Sequence, residues 1–486
     1  MAAVCFALLF CALLLVRMGV FTPKAKQHQA GALTAAENFS DKNTWMNILQ
    51  NGNKIGFSHA SYVRARDGLR FSETVFMRIN TMGLVQDISL KSNGQLNEDF
   101  SLSSFTYEVS SGRFDFIARG TVNGNALTLD VGAKGSQQTV EIPLGEKIYF
   151  TSGIVQAASA GNLHPGESVT LKVFDPVAMG QESITLTVLE KEEIVLPGRT
   201  VEATKISLRF KGSTQLAWID AHGNILKETG MLGISLVNTT QEDAMSRLPV
   251  KSSQDLTDLA SVPANRKISD PAALQRFKAR ITGLTGEKVR LNGGRQAFAD
   301  GVLTIRKESL DNLPTAFAWK MRRWSKHPFL QPSPFIQSNH PAIVKLANDI
   351  TGEDDSALEK SRKIMAWIQK HIRKRPVLSL PDAVSTLENR VGDCNEHAVL
   401  FAALARAVYL PTKVEAGLVY LNGRFYYHAW NLVDLGRERW ITADALFNQL
   451  PADVTHIRLA GGAQEDQLNI LGLIGKIGIT ILEGTE

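Results

Sequence analysis

Cysteine is the scarcest reactive residue in this chain of 486 residues, which has three: Cys5, Cys11 and Cys394. The first two fall inside an apolar N-terminal run, so no disulfide can form within the body of the protein. The lone thiol at 394 is better explained by reactivity than by cross-linking. Charge of one sign is nearly as thin. The 53 basic and 48 acidic residues leave a dispersed excess of +5, too little to argue for a nucleic-acid partner. No zinc-ligand spacing, phosphate-cradling glycine loop or dinucleotide fingerprint accompanies Cys394, so neither a metal nor a cofactor is expected. Phe10 before Cys11 lacks the small side chain a lipid-attachment site would need.

What is present begins with Ala2–Val16, uninterrupted apolar and extended past Arg17 by Met18–Phe21. Such a run is a signal peptide or a single membrane anchor, here assigned to residues 1–22. No Lys or Arg precedes it, and the Ala30-Gly-Ala32 pattern lies far beyond the usual cleavage distance, which favours an anchor. Arg17, Lys24 and Lys26 follow it, and by the positive-inside rule they would hold the body in the cytoplasm. With 44% hydrophobic and 21% charged residues the remainder has an ordinary globular composition. Its length suggests about two to four domains.

The stretch that carries chemistry is Arg390-Val-Gly-Asp-Cys394-Asn-Glu-His397, followed by an apolar run from Ala398 to Arg406. Gly392-Asp393 signals a turn, and a helix apolar all round is a buried one. A thiol at its start sits at the positive end of the helix dipole, where the thiolate is favoured. A Cys beside an apolar helix can equally be a small core residue. Two strands, Arg424–Val433 and Arg439–Ala443, then flank the turn Asp434-Leu-Gly-Arg. With Gly436 at the centre, His428 and Asp444 stand directly opposite and on one face, about 4.5–5.5 Å apart at Cβ. A slip of one residue would separate them. Asp434, the rival acid, lies at the turn and is poorly placed. His397, three residues past the thiol, reads as a helix-face or substrate-contacting histidine rather than a metal ligand.

Gly392-Asp-Cys394 with its apolar helix, Leu410-Pro-Thr-Lys-Val, His428-Ala-Trp430 and Trp440 through Asp444 resemble the transglutaminase-like superfamily of papain-type thiol enzymes. The resemblance covers roughly residues 340 to 456. It implies Cys394 as nucleophile, His428 as general base and acid, and Asp444 as the group that holds His428. Where many members carry an aromatic beside the thiol and a proline after the acid, this chain has Asp393, Asn395 and Ala445; Asp393 adds a charge that raises the thiol pKa. The fold class implied is α+β: a C-terminal papain/transglutaminase-like domain at 341–486, its helical part packed on an antiparallel sheet. Relatives with an N-terminal hydrophobic segment before such β-rich regions are commonly exported, which implies a membrane-anchored, extracytoplasmic (periplasmic) body acting on protein or peptide. Thiol-dependent hydrolysis of peptides or amides is the leading expectation. Glutamine cross-linking, and a non-catalytic membrane-anchored binding or assembly protein, remain open.

Taken in order, Gln27–Asp41 is a polar spacer. Residues 44–240 form an antiparallel β-rich region, one domain or two meeting near Gly161–Glu167. Its turns are Asn51-Gly52, Asp67-Gly68, Asn93-Gly94, Ser111-Gly112, Asn123-Gly124, Pro197-Gly198 and Gly223-Asn224. It is a binding platform or a spacer, and His222 within it is a turn residue. Residues 241–340 form a linker that holds a short helix, a small strand unit at Asp270–Lys307, and a proline-rich arm at Leu313–Pro341 in which Pro332 and Pro334 mark either a wrapping strap or a lid. Helices are expected at Ala342–Ile350 and Ser356–Arg373, with His371 on a helix face. The tail Leu468–Leu482, interrupted by Gly472, Gly475 and Lys476, reads as a closing strand pair.

Overall fold

The computed structural model describes residues 26–28 and 39–485, apart from 113, 134–136, 156–162, 177–178, 247–253, 285–288, 314–326, 378–379, 437 and 463–472. The apolar segment Ala2–Val16 lies outside these residues. Among the described residues no helix is long and apolar enough to cross a membrane.

Alternating apolar and polar residues between glycine turns build a sheet of sixteen strands. Strands from Lys42 to Pro143 follow one another as antiparallel hairpins, and so do those from Glu167 to Thr239. The two runs are joined where Ile234–Thr239 pairs with Lys42–Gln50. Phe105, Phe116 and Leu129 of the first run and Val169, Leu186 and Ile206 of the second bury into one core. The strands on either side of Gly161–Glu167 therefore share a sheet and a core.

Six of the seven expected turns lie at or beyond strand ends, but Asn93-Gly94 does not. Gly94 is inside the strand Leu84–Leu96, where a Cβ would stand 2.1 Å from the Ser104 carbonyl oxygen and 2.9 Å from the Phe71 ring. Glycine there serves close approach of a neighbour rather than a reversal. The reversal is instead at Met82-Gly83, both with positive φ.

The linker forms two short helical turns, Gln241–Ala244 and Leu256–Ala260. The small strand unit is a four-stranded sheet of Arg276–Thr282, Gln296–Ala299, Val302–Arg306 and Gly478–Thr485. Among its described residues the tail supplies one strand, Gly478–Thr485, which closes this small sheet; residues 463–472 fall outside the described ones.

Four helices follow: α1 (Pro341–Ile350), α2 (Ala357–His371), α3 (Ala383–Asn389) and α4 (Cys394–Ala407). Every residue of α4 from Glu396 to Arg406 is buried. One side of α4 meets Ile343, Ile364, Met365 and Leu387 of α1–α3; the other lays Ala398 and Ala402 on Val414 and Ala429 of a sheet. That sheet contains β1 (Val262–Pro263), β2 (Thr412–Leu421), β3 (Arg424–Asp434), β4 (Trp440–Ala443) and β5 (Ile457–Gly462), with β2 and β3 at its centre. Among the described residues helix is confined to this part apart from short turns, and strand dominates.

The described part of the proline-rich arm rivets the two regions together. Phe335, 2% exposed, enters the β-rich core with its ring 5.8 Å from that of Phe116. Ile336, next along, packs on the helical core. The Gln337 amide oxygen accepts the Ala383 and Val384 N–H groups at the start of α3. Docking on both sides of the chain supports the wrapping strap over the lid. Phe335→Ala is expected to cost about 3–5 kcal/mol and to lower the midpoint of urea unfolding followed by tryptophan fluorescence.

Candidate active site

Asp393 is the N-cap of α4. Its carboxylate accepts the Asn395 N–H at 3.0 Å, and the Glu396 carboxylate reaches back to the Asp393 N–H at 2.9 Å, closing a capping box. The acid next to the thiol is therefore required by the helix start itself. Gly392 makes the box possible, since a Cβ there would lie 2.3 Å from the Glu396 Cβ. Two carboxylates consequently stand beside Cys394. Burial, then Asp393, pushes the thiol well above its ordinary pKa, against the lowering effect of a hydrogen bond from the Ala429 N–H; Glu396 and Asp444 add to the rise. The dipole expectation of a favoured thiolate is thus opposed: burial and the neighbouring carboxylates favour the protonated thiol.

The Ala429 N–H reaches the thiol because the outer edge of β3 is interrupted. β1 pairs with that strand at Arg424 and Phe425, and β4 pairs with it only from Asn431 onward. Cys394 occupies the gap. Along β3 the side chains of Ala429 and Asn431 face α4, where the Asn431 amide donates to the Ala398 carbonyl at 2.9 Å. His428 and Trp430 take the opposite face, while Cys394 packs with Ala398, Ala402, Val414 and Ala429 on the α4 side.

The hairpin register differs from the expected one. Asn431 pairs with Ala443 and Asp434 with Trp440, which places Asp444 across from Trp430 instead of His428. The slip is two residues, so the alternation of faces is preserved. Asp444 still meets His428, diagonally, with Nε2 to Oδ2 at 2.7 Å.

Asp444 accepts four hydrogen bonds. Oδ1 takes the N–H groups of Leu446 and Phe447 at 2.8 and 2.9 Å. Oδ2 takes Nε2 of His428 and, at 2.9 Å, Nε2 of His456. Burial alone would raise its pKa, but the two histidines outweigh burial and hold the carboxyl far below the usual carboxylate range. The His428 ring stacks on Phe447 at 4.9 Å.

His456 is the residue that sequence reasoning missed. It is fully buried; its second nitrogen, Nδ1, faces the Asp453 carbonyl at 3.2 Å and the Asp453 carboxylate at 3.3 Å. Burial lowers its pKa, yet hydrogen bonds to Asp444 and Asp453 raise it to about 9. Asp453 is anchored by Thr455 and Gln449. Asp453-Val-Thr-His456 lies in a connection with no periodic pattern; an Asp–x–x–His spacing shortly after Asp444 was the only available signal.

The other candidates lie elsewhere. Asp434 accepts the Gly436 N–H at the hairpin turn. His397 is buried, its Nδ1 on the Asp393 carbonyl at 2.7 Å. His371 is exposed and stacked on Trp367, and His222 donates its backbone N–H within the Asp220 turn. His428, Asp444 and His456 bring their ligand atoms within 4.8 Å of one another, the one such group among the described residues. Two N–H groups converge there on a single Oδ2, so a cation would have to displace both protons in a fully buried space; the donor set fits a hydrogen-bonded network, not a metal centre. Cavities of about 1030 and 630 Å³ lie elsewhere, beside Arg66 and Asn97 in the β-rich sheet and beside Lys413 and Arg458.

Residues 344–445 match the family model of the transglutaminase-like superfamily, so this part of the chain is similar to transglutaminase-like domains. The match ends one residue past Asp444, and at superfamily level it supports a thiol-dependent enzyme. Similar solved structures include a Cytophaga hutchinsonii protein provisionally named a cysteine protease, 18% identical, covering 43% of this chain and 86% of its own, with a TM-score of 0.28. Another is a beta-barrel-like protein of a domain of unknown function from Brucella abortus, 8% identical, covering 41% and 94%, with a TM-score of 0.30. A comparison with curated proteins finds no match.

Proposed function

We propose that the chain performs thiol-dependent acyl transfer on peptide or amide substrates, with Cys394 as nucleophile, His428 as base and acid, and Asp444 as the orienting carboxylate. The observation that carries this reading is the 2.7 Å bond between His428 Nε2 and Asp444, with the thiol of Cys394 accepting from the N–H of the next residue along the strand, Ala429. Asp444 keeps a proton on Nε2 and leaves Nδ1 as the base. In the proposed step Nδ1 takes the thiol proton and the sulfur bonds to the carbonyl carbon. The tetrahedral oxyanion receives the Cys394 N–H, one of those a helix start leaves without a backbone partner. The C–N bond then breaks, the amine leaves with the proton held by His428, and a thioester remains. Water activated by His428 releases a carboxylic acid; an amine in its place gives a new amide. Because burial and the neighbouring carboxylates favour the protonated thiol, the reaction needs a base.

Hydrolysis is the outcome we favour. The Ala2–Val16 segment would tether the enzyme to a membrane with its body on the extracytoplasmic side, acting on protein or peptide. The raised thiol pKa favours a second reading, a binding protein that keeps the fold without the reaction.

Iodoacetamide labelling of the full chain at about pH 6, with the Cys394, Cys5 and Cys11 peptides quantified separately by mass spectrometry, discriminates the two. Catalysis predicts labelling of Cys394 at least about tenfold faster than in His428→Ala. Equal rates, as slow as a free thiol, would leave the binding reading. Incubation with a glutamine-containing peptide and a primary amine then separates acid from amide product.

A further inference from the structure

We propose that His456 is a positioning residue, a buried imidazolium held between Asp453 and Asp444 that fixes the carboxylate orienting His428 and offsets part of its charge. The inference rests on the reading of Cys394 and His428 as the reacting pair.

The geometry is a line of alternating groups. Asp453 faces His456 Nδ1, His456 Nε2 meets Asp444 Oδ2 at 2.9 Å, and the same oxygen meets His428 Nε2 at 2.7 Å. A neutral imidazole has one N–H and could satisfy only one of its two carboxylate neighbours. With both ring nitrogens facing carboxylates, the doubly protonated form satisfies both. The His456 ring stands edge-on to Trp430 at 5.2 Å and to His428 at 5.6 Å, and this packing prevents rotation out of line. Its pKa of about 9 keeps the charge in place at neutral pH.

Two consequences follow for His428. The oxygen it binds is pinned by a second donor, so the imidazole keeps one tautomer and one orientation. A fixed positive charge on the far side of Asp444 also weakens the pull of that carboxylate on a proton at His428. Without His456 the His428 imidazolium would be better stabilised, and the limb of the pH–rate profile that His428 governs would move to higher pH. Other charges near this line are Arg295, which donates to the Asp453 carbonyl and pairs with Glu308, and Glu415 with Arg458 behind Trp430. Asp393, Glu396 and His397 stand on the thiol side. None of them changes when residue 456 is replaced.

His456→Gln tests the proposal, because it retains a side-chain N–H for Oδ2 and removes the charge. The rate of Cys394 alkylation by iodoacetamide in the full chain is followed from about pH 5 to 9 for wild type, His456→Gln and His428→Ala, with thermal unfolding in parallel. The expected result is a His428-governed limb about one pH unit higher in His456→Gln. A limb that stays in place, whatever happens to the absolute rate, would reduce His456 to a packing role and overturn the proposal. Should His456→Gln fail to fold, Asp453→Asn is read instead: weaker anchoring of the imidazolium predicts a smaller shift in the same direction, and no shift overturns the proposal. If wild type and His428→Ala share one profile, the reading of the reacting pair fails and this inference falls with it. That failure is distinguishable because it shows before residue 456 is altered.

Discussion

Asp444→Ala is expected to lose about 3–5 kcal/mol of stability and about 10³–10⁴ in turnover. The stability loss arises because one buried carboxylate serves four donors: Leu446 and Phe447 through Oδ1, His428 and His456 through Oδ2. Removing it leaves two backbone N–H groups and the Nε2 donors of His428 and His456 without their acceptor, and desolvated donors without partners are costly. The turnover loss follows from the proposed mechanism, in which Nδ1 of His428 acts as the base only while its proton sits on Nε2. Asp444→Asn preserves the shape but must turn an NH₂ either toward the two imidazoles or toward the two backbone N–H groups, so it is expected to retain more stability than Ala and little more activity. Urea unfolding and single-turnover acylation of Cys394 in both variants check this pair of outcomes. An Asn variant with near wild-type acylation would remove Asp444 from the mechanism.

The second large effect is a fall in stability on the alkaline side. His456 titrates near 6.5 when unfolded and at about 9 when folded; burial opposes the rise, and the hydrogen bonds and charges of Asp444 and Asp453 outweigh it. A group whose folded pKa is raised contributes fully below its unfolded value and loses that contribution as pH climbs to the folded one. Stability should therefore decline between about pH 6.5 and 9 by about 3 kcal/mol, counted once for the whole Asp453–His456–Asp444 line. His456→Gln should flatten this slope in urea titrations at fixed pH values. On the acid side the sign reverses: Asp444 and Asp453 are both held well below the usual carboxylate range, so their contribution is lost only as pH drops below the ordinary carboxylate pKa.

Much of this was legible in the chain because the responsible signals are local. The unbroken apolar run after Cys394 gives a buried helix whatever surrounds it, since no face of it can meet water. Glycine turns announce hairpins, but Asn93-Gly94 misleads because a glycine that admits the Phe71 ring looks in sequence like one that reverses the chain. Asp393 was legible as a charge beside the thiol; its part in the capping box depends on Glu396 folding back over Gly392.

The sequence by itself determined which residue types are available for chemistry, where the buried helix begins, and that His428 and Asp444 share a face, because side-chain direction in a strand repeats every two residues. The tertiary structure alone decided that the register is displaced by two, a shift to which a period of two is blind. It also decided that the edge of β3 is left open for the thiol, and that His456 arrives from an aperiodic connection to share the Asp444 oxygen. Contacts between segments distant in the chain are set by packing and electrostatics in three dimensions, and packing of that kind leaves no repeat in the order of the residues.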